Sequence, residues 1–135
     1  MSEPSLQCPI TPDLALLRSQ LHTFAIHAGL ADDRAADLII AINEAAANVL
    51  DHGAGTGVVT ARHDSDGIWV EVVDPGGTLT ADHLFLPAPS ANALRGMGLR
   101  IIRRLCDEVI VDHPDGHSRL RIHLSRRPDE PTGTA

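Results

Sequence analysis

Three clusters in the 135-residue sequence hold residue types that do chemistry. Glu44, Asn48 and His52 stand four apart. On a helix that spacing puts a carboxylate, an amide and an imidazole in one line, about one turn between neighbours, able to address a single ligand. Taken alone, the same line also reads as a solvated helix face. Asp74 follows an apolar run and precedes Pro75-Gly76-Gly77. Glycines there remove side chains and let a flat ligand reach the backbone, while the carboxylate can accept a hydrogen bond from an exocyclic amine. By itself, Asp-Pro-Gly-Gly reads first as an ordinary turn after a strand. Gly96 and Gly98 stand at the start of a helical pattern, where exposed backbone amides at the positive end of the dipole suit phosphate oxygens.

The elements that must position these clusters are readable in turn. Residues 6–10 (Leu-Gln-Cys-Pro-Ile) predict a short edge strand, the only strand context that tolerates Pro9. Thr11-Pro12-Asp13 predicts a helix start with a hydroxyl cap, and Leu14, Leu17, Leu21 and Phe24 keep helical spacing until Gly29. A second helix is expected from Asp32 or Asp33 to Gly53, with Leu38, Ile42, Ala45 and Val49 as its dry stripe and the Glu44 line beside it. Residues 57–63 and 68–73 alternate as strands around Asp64-Ser65-Asp66-Gly67, a hairpin signal, and the second strand ends at Asp74. From Pro75 to about Arg95 the glycines and prolines predict a long loop of the length that lids use.

A third helix then opens at Gly96-Met97-Gly98, with Leu99, Ile102 and Leu105 or Cys106 inward and Arg100, Arg103 and Arg104 outward. Those arginines suit either a partner-binding patch or a solvated helix end. Val109-Ile110-Val111, a Pro114-Asp115-Gly116 turn, and Leu120, Ile122 and Leu124 alternating with Arg119, Arg121 and His123 predict a final hairpin. The expected fold class is α+β: a two-layer sandwich with a mixed, mostly antiparallel sheet and three helices on one face. One domain is expected over 1–125, with 126–135 as a disordered tail. Trp69, the only tryptophan, is expected to pack on the sheet.

Composition narrows the chemistry. With 43% hydrophobic and 21% charged residues the chain is globular, and no apolar run nears the ~18 residues of a membrane span. With no signal stretch either, a cytoplasmic location is expected. A formal net charge of −7 argues against direct nucleic-acid binding. All eleven basic residues are Arg, which excludes lysine-dependent chemistry such as the Walker-type P-loop and Schiff bases. Cys8 and Cys106 are expected to be buried thiols rather than a disulfide. His113 and His117 have a spacing that zinc sites use, but they flank a turn and no third ligand accompanies them.

The clusters gain force from occurring together and in order. Asn43-Glu44-Ala45-Ala46-Ala47-Asn48 with His52-Gly53, then Asp74-Pro75-Gly76-Gly77, then Gly96-Met97-Gly98-Leu99 resemble the N, G1 and G2 boxes of GHKL-type ATPases, above all the bacterial anti-sigma-factor serine kinases. The resemblance spans roughly residues 6 to 124. It implies a Bergerat-type ATP-binding fold with ATP and Mg2+ as cofactors. It also implies Glu44 as general base toward the attacking hydroxyl and Asn48 as the Mg2+ ligand. Asp74 would read the adenine amino group, with Gly76 letting the base close, and Gly96, Met97, Gly98 and Leu99 would line the phosphates. His52 and Arg95 would add donors to them.

As a whole, the resemblance implies a serine/threonine protein kinase that acts as an anti-sigma factor. Its partners would be an anti-anti-sigma (STAS-type) protein and a sigma factor, and the homodimer common among such kinases is a further expectation. The alternative is a non-catalytic regulator that binds ATP and protein partners without phosphorylating them. A two-component histidine kinase would need a dimerising helix pair with a phosphoacceptor His, and gyrase- or chaperone-like relatives need transducer domains; neither is found here. Two positions depart from the pattern. Thr78 stands where G1 has its second glycine, and Gly116-His117-Ser118 stands where a Gly-Thr pair commonly precedes the last strand.

Overall fold

The computed structural model describes residues 5–76 and 100–125. Local chemistry sets the first elements. β1 (Ser5–Ile10) leads into α1 (Leu14–His27), where Asp13 Oδ1 accepts from the Leu16 N–H at 3.1 Å. The cap is therefore the Asp13 carboxylate and not the Thr11 hydroxyl, which instead accepts from Asp13 N–H at 3.1 Å and shapes the approach. Gly29, at φ 92°, turns the chain out of α1 in the left-handed region. α2 (Asp32–His52) has Asp32 and Asp33 in its first turn, charges that complement the helix dipole, and ends at His52. Its expected stripe is dry: Leu38, Ile42, Ala45 and Val49 are all buried.

β2 (Gly57–His63) and β3 (Gly67–Asp74) form the expected hairpin. Asp64 Oδ1 accepts from the N–H groups of Asp66 (2.8 Å) and Gly67 (3.1 Å), so the aspartate side chain shapes the turn. Residues 100–105 are helical, with Ile102 fully buried and Arg100, Arg103 and Arg104 exposed. β4 (Glu108–Asp112) and β5 (Ser118–Ser125) follow, joined through a single 3-10 turn at Pro114–Gly116 in which Asp115 takes φ 54°. The expected lid and the Gly96-to-Leu99 helix start lie outside the described residues.

The sheet order is β1-β2-β3-β5-β4, and all four pairings are antiparallel. One face is dry. Val59, Ala61, Ile68, Val70, Val72, Leu120, Ile122 and Leu124 join Leu17, Leu21, Leu38, Ile42 and Ile102 in one core, so α1, α2 and the 100–105 helix cover the same side. The expected two-layer α+β architecture is what the chain forms. The other face carries alternating polar residues, and Trp69 is on that face, not in the core, with its ring 4.7 Å from His123. Cys8 is buried and its thiol donates to Gln20 Oε1 at 3.1 Å; Cys106 is half-buried, and both are free.

Candidate functional site

The C-terminal end of α2 and the C-terminal end of β3 meet, and the contact is built from backbone. Gly53 ends α2, its N–H donating to the carbonyls of Asn48 and Val49, both at 3.1 Å. The next residue, Ala54, donates its N–H to Asp74 Oδ1 at 3.0 Å, and the Gly76 N–H donates to the same oxygen at 2.8 Å. Asp74 is buried at 5% exposure, and its hydrogen bonds among the described residues go to Oδ1 and not to Oδ2. A carboxylate is expensive to bury unless its lone pairs are used. Oδ1 is satisfied by protein, and Oδ2, which is not among the buried unpaired atoms, keeps access to solvent or to a ligand's donor.

Glycine is required on one side of this carboxylate, at Gly53, and leaves little room on the other, at Gly76. A Cβ on Gly53 would stand 2.0 Å from Asp74 Oδ2, and one on Gly76 would stand 3.1 Å from both Asp74 Oδ1 and Ala54 N. The sequence reading assigned Gly76 to the approach of a ligand; the structure shows that Gly53 leaves the space for Asp74. The register adds a neighbour: Ser118 is the Cα partner of Asp74 across the β3–β5 pairing and is 1% exposed, on the same face. Sequence spacing left Ser118 without a role, because which strand lies beside β3 is a long-range fact. Alternation along β5 is the one signal that put its side chain inward.

Along α2, Glu44 and Asn48 are half-buried and His52 is exposed. Asn48 Nδ2 is buried with no hydrogen-bond partner among the described residues. Unpaired buried amides are uncommon and mark places where a missing group belongs. Asn43, beside Glu44, accepts from Arg18 Nη1 at 2.9 Å, tying α2 to α1 at the level of the site. Thus Asn48, Gly53, Asp74, Gly76 and Ser118 gather at one end of the sandwich, with Glu44 one turn further along α2. Arg95, Gly96, Met97, Gly98 and Leu99, and the departure at Thr78, lie outside the described residues.

The end of the helix that bears Asn48 is thus joined, through the Ala54 N–H, to a buried aspartate at the end of β3. The sequence matches the histidine kinase-like ATPase domain family over residues 10–124. The chain belongs to that family. No curated protein matches it by sequence. Among solved structures, this histidine kinase-like ATPase domain is similar to the RsbU and RsbW domains of Rv1364c from Mycobacterium tuberculosis, with a TM-score of 0.66 and 23% identity over 93% of the chain. It spans 33% of that longer chain. It is also similar to a chain of the SiaB–SiaC complex from Pseudomonas aeruginosa, with a TM-score of 0.60 and 18% identity, covering 90% of this chain and 89% of that one. Among the described residues no helix is long and apolar enough to cross a membrane.

The residues present fit ATP. Asn48 Nδ2 is a buried donor with no partner among the described residues, suited to a phosphate oxygen, and Asp74 Oδ2 accepts no hydrogen bond among them.

Proposed function

We propose that this domain is an ATP-binding serine/threonine protein kinase that acts as an anti-sigma factor and phosphorylates an anti-anti-sigma partner. The observation that carries the nucleotide half is the buried Asp74, anchored through Oδ1 by two backbone amides with Oδ2 left to read an exocyclic amine. Gly76 is assigned to the approach of the base on the motif resemblance, and Ser118 stands beside Asp74 as a second polar group. On α2, Asn48 would hold Mg2+ through its side-chain oxygen; one protein ligand is enough, since this ion keeps waters and takes phosphate oxygens. Bound ATP supplies the γ-phosphoryl group. Glu44 accepts the proton of the attacking Ser or Thr hydroxyl as its oxygen bonds to the γ-phosphorus and the bond to the ADP oxygen breaks. His52, Arg95, Gly96, Met97, Gly98 and Leu99 are assigned to the phosphates on the motif resemblance.

The protein-substrate half is supported by the likeness in fold to an RsbW domain and to a chain from a two-protein complex. Candidate anti-anti-sigma proteins incubated with radiolabelled ATP are expected to gain label with the wild type and to lose nearly all of it with Glu44→Ala, while Asn48→Ala removes the Mg2+ dependence of ATP binding. Partner binding that needs ATP but is indifferent to Glu44→Ala, with no label transferred, would replace this reading with the non-catalytic regulator.

A further inference from the structure

The face of the sheet turned away from the helices holds a cavity of about 380 Å3 lined by Thr60, Arg62, Trp69, Val70, Glu71 and Arg121. That volume lies within the roughly 300–1,000 Å3 of small-molecule sites. The strand register builds it from two rows. Arg62, Trp69 and His123 are successive cross-strand partners on β2, β3 and β5, and Thr60, Glu71 and Arg121 form the next row. The aromatic wall is fixed, because Trp69 lies against His123 with centroids 4.7 Å apart and planes at 36°.

The polar groups here are under-used. Arg119 is committed to Asp112 through two bonds of 2.9 and 2.7 Å, and that carboxylate reaches Arg121 Nη2 only at 3.5 Å. Arg121 Nε and His123 Nε2 are buried with no hydrogen-bond partner among the described residues. Arg62 is exposed and has no ion pair among them. Among the described residues Glu71 pairs with Arg119 alone, at 3.9 Å. In a chain of net charge −7, two guanidiniums against one carboxylate around a tryptophan make a local site for negative charge.

We propose that this cavity is a second ligand site, separate from the Asp74 end, and that it takes a small planar aromatic anion, its ring on Trp69 and its carboxylate or phosphate held by Arg62 and Arg121. Trp69 stacks the flat body and the guanidiniums supply charge-assisted, directional donors. Thr60 and Glu71 offer an acceptor to a hydroxyl or amine on the ligand.

Trp69 is the only tryptophan, so its emission reports on this face alone. The full chain is titrated with benzoate and with phenyl phosphate, which share a ring and differ in the anion, and with benzyl alcohol and inorganic phosphate, which each lack one half of the predicted chemistry. Saturable change with at least one of the two aromatic anions, at least about tenfold weaker for both controls and in Arg62→Gln, is expected. The tighter of the two identifies the anion as carboxylate or phosphate. ATP affinity of Arg62→Gln should equal that of the wild type, because Arg62 stands on the opposite face from Asp74. The proposal is overturned by no saturation with either anion below about 10 mM, by equal response to a control, or by an unchanged response in Arg62→Gln.

Discussion

Gly53 leaves so little room beside Asp74 that its own side-chain hydrogen is what the fold depends on: a Cβ would sit 2.0 Å from Oδ2 and 2.8 Å from Cγ. Gly53→Ala is therefore expected to displace the carboxylate, lower stability by about 1–3 kcal/mol as overpacking does, and weaken ATP binding. A thermal melt and an ATP titration on the variant check both; a variant with wild-type melting and affinity would contradict the geometry. The thiols give a second test. Burial, then the neighbouring Asp107 charge, pushes the Cys106 thiol up to about 12, and burial raises Cys8. Neither forms appreciable thiolate near neutral pH, so a thiol-reactive chromophore is expected to label the folded protein far more slowly than the unfolded one. At this scale Asp74 was legible because Asp-Pro-Gly-Gly carries its chemistry in the local sequence. Gly53 and Ser118 were not, because their roles depend on which backbone lies beside Asp74.

Among the elements, α2 is held at both ends. At its C-terminal end the Ala54 N–H fastens it to Asp74 of β3. At its N-terminal end Arg34 pairs with Asp107, which also accepts from the Ser125 N–H at 2.7 Å, so one carboxylate joins α2, the start of β4 and the end of β5. Burial alone would raise the Asp107 pKa, but the Ser125 N–H and the Arg34 charge outweigh it and hold the carboxyl below its ordinary value. A depressed carboxyl binds its proton more weakly when folded than when unfolded. Its stabilisation is present above the ordinary carboxylate range, ~4, and is lost as pH falls through the folded value. Denaturation by urea at pH 7 and pH 3 should show a smaller loss on acidification for Asp107→Asn than for the wild type; an equal loss would remove Asp107 from the account. Helix and strand spans were legible because the 3.6 and 2 periodicities are strong in α2, β2, β3 and β5. The α1 cap was misread by two residues: Thr11 and Asp13 both favour caps, and only the backbone at Pro12 decides between them.

Across the whole molecule, one sheet separates two chemistries. Its helix-covered face ends at Asp74, Asn48 and Ser118, and its open face carries Trp69, Arg62 and Arg121. The architecture was legible from the order of elements because antiparallel hairpins leave few other ways to bury the stripe of α2. The open face was not, since alternation says which side chains point outward and not what they gather around. In the proposed function the centre of the nucleotide site is the buried carboxylate of Asp74. That centre is tested most directly by calorimetric titration of the folded protein with ATP and Mg2+, wild type beside Asp74→Asn. The amide can keep its oxygen on the Ala54 and Gly76 N–H groups, so the fold should survive, while its NH2 then faces a donor where Oδ2 accepted one. Saturable binding by the wild type, weakened at least about tenfold in Asp74→Asn, is the expected result. No binding by the folded wild type, or equal affinity in the variant, would contradict the account.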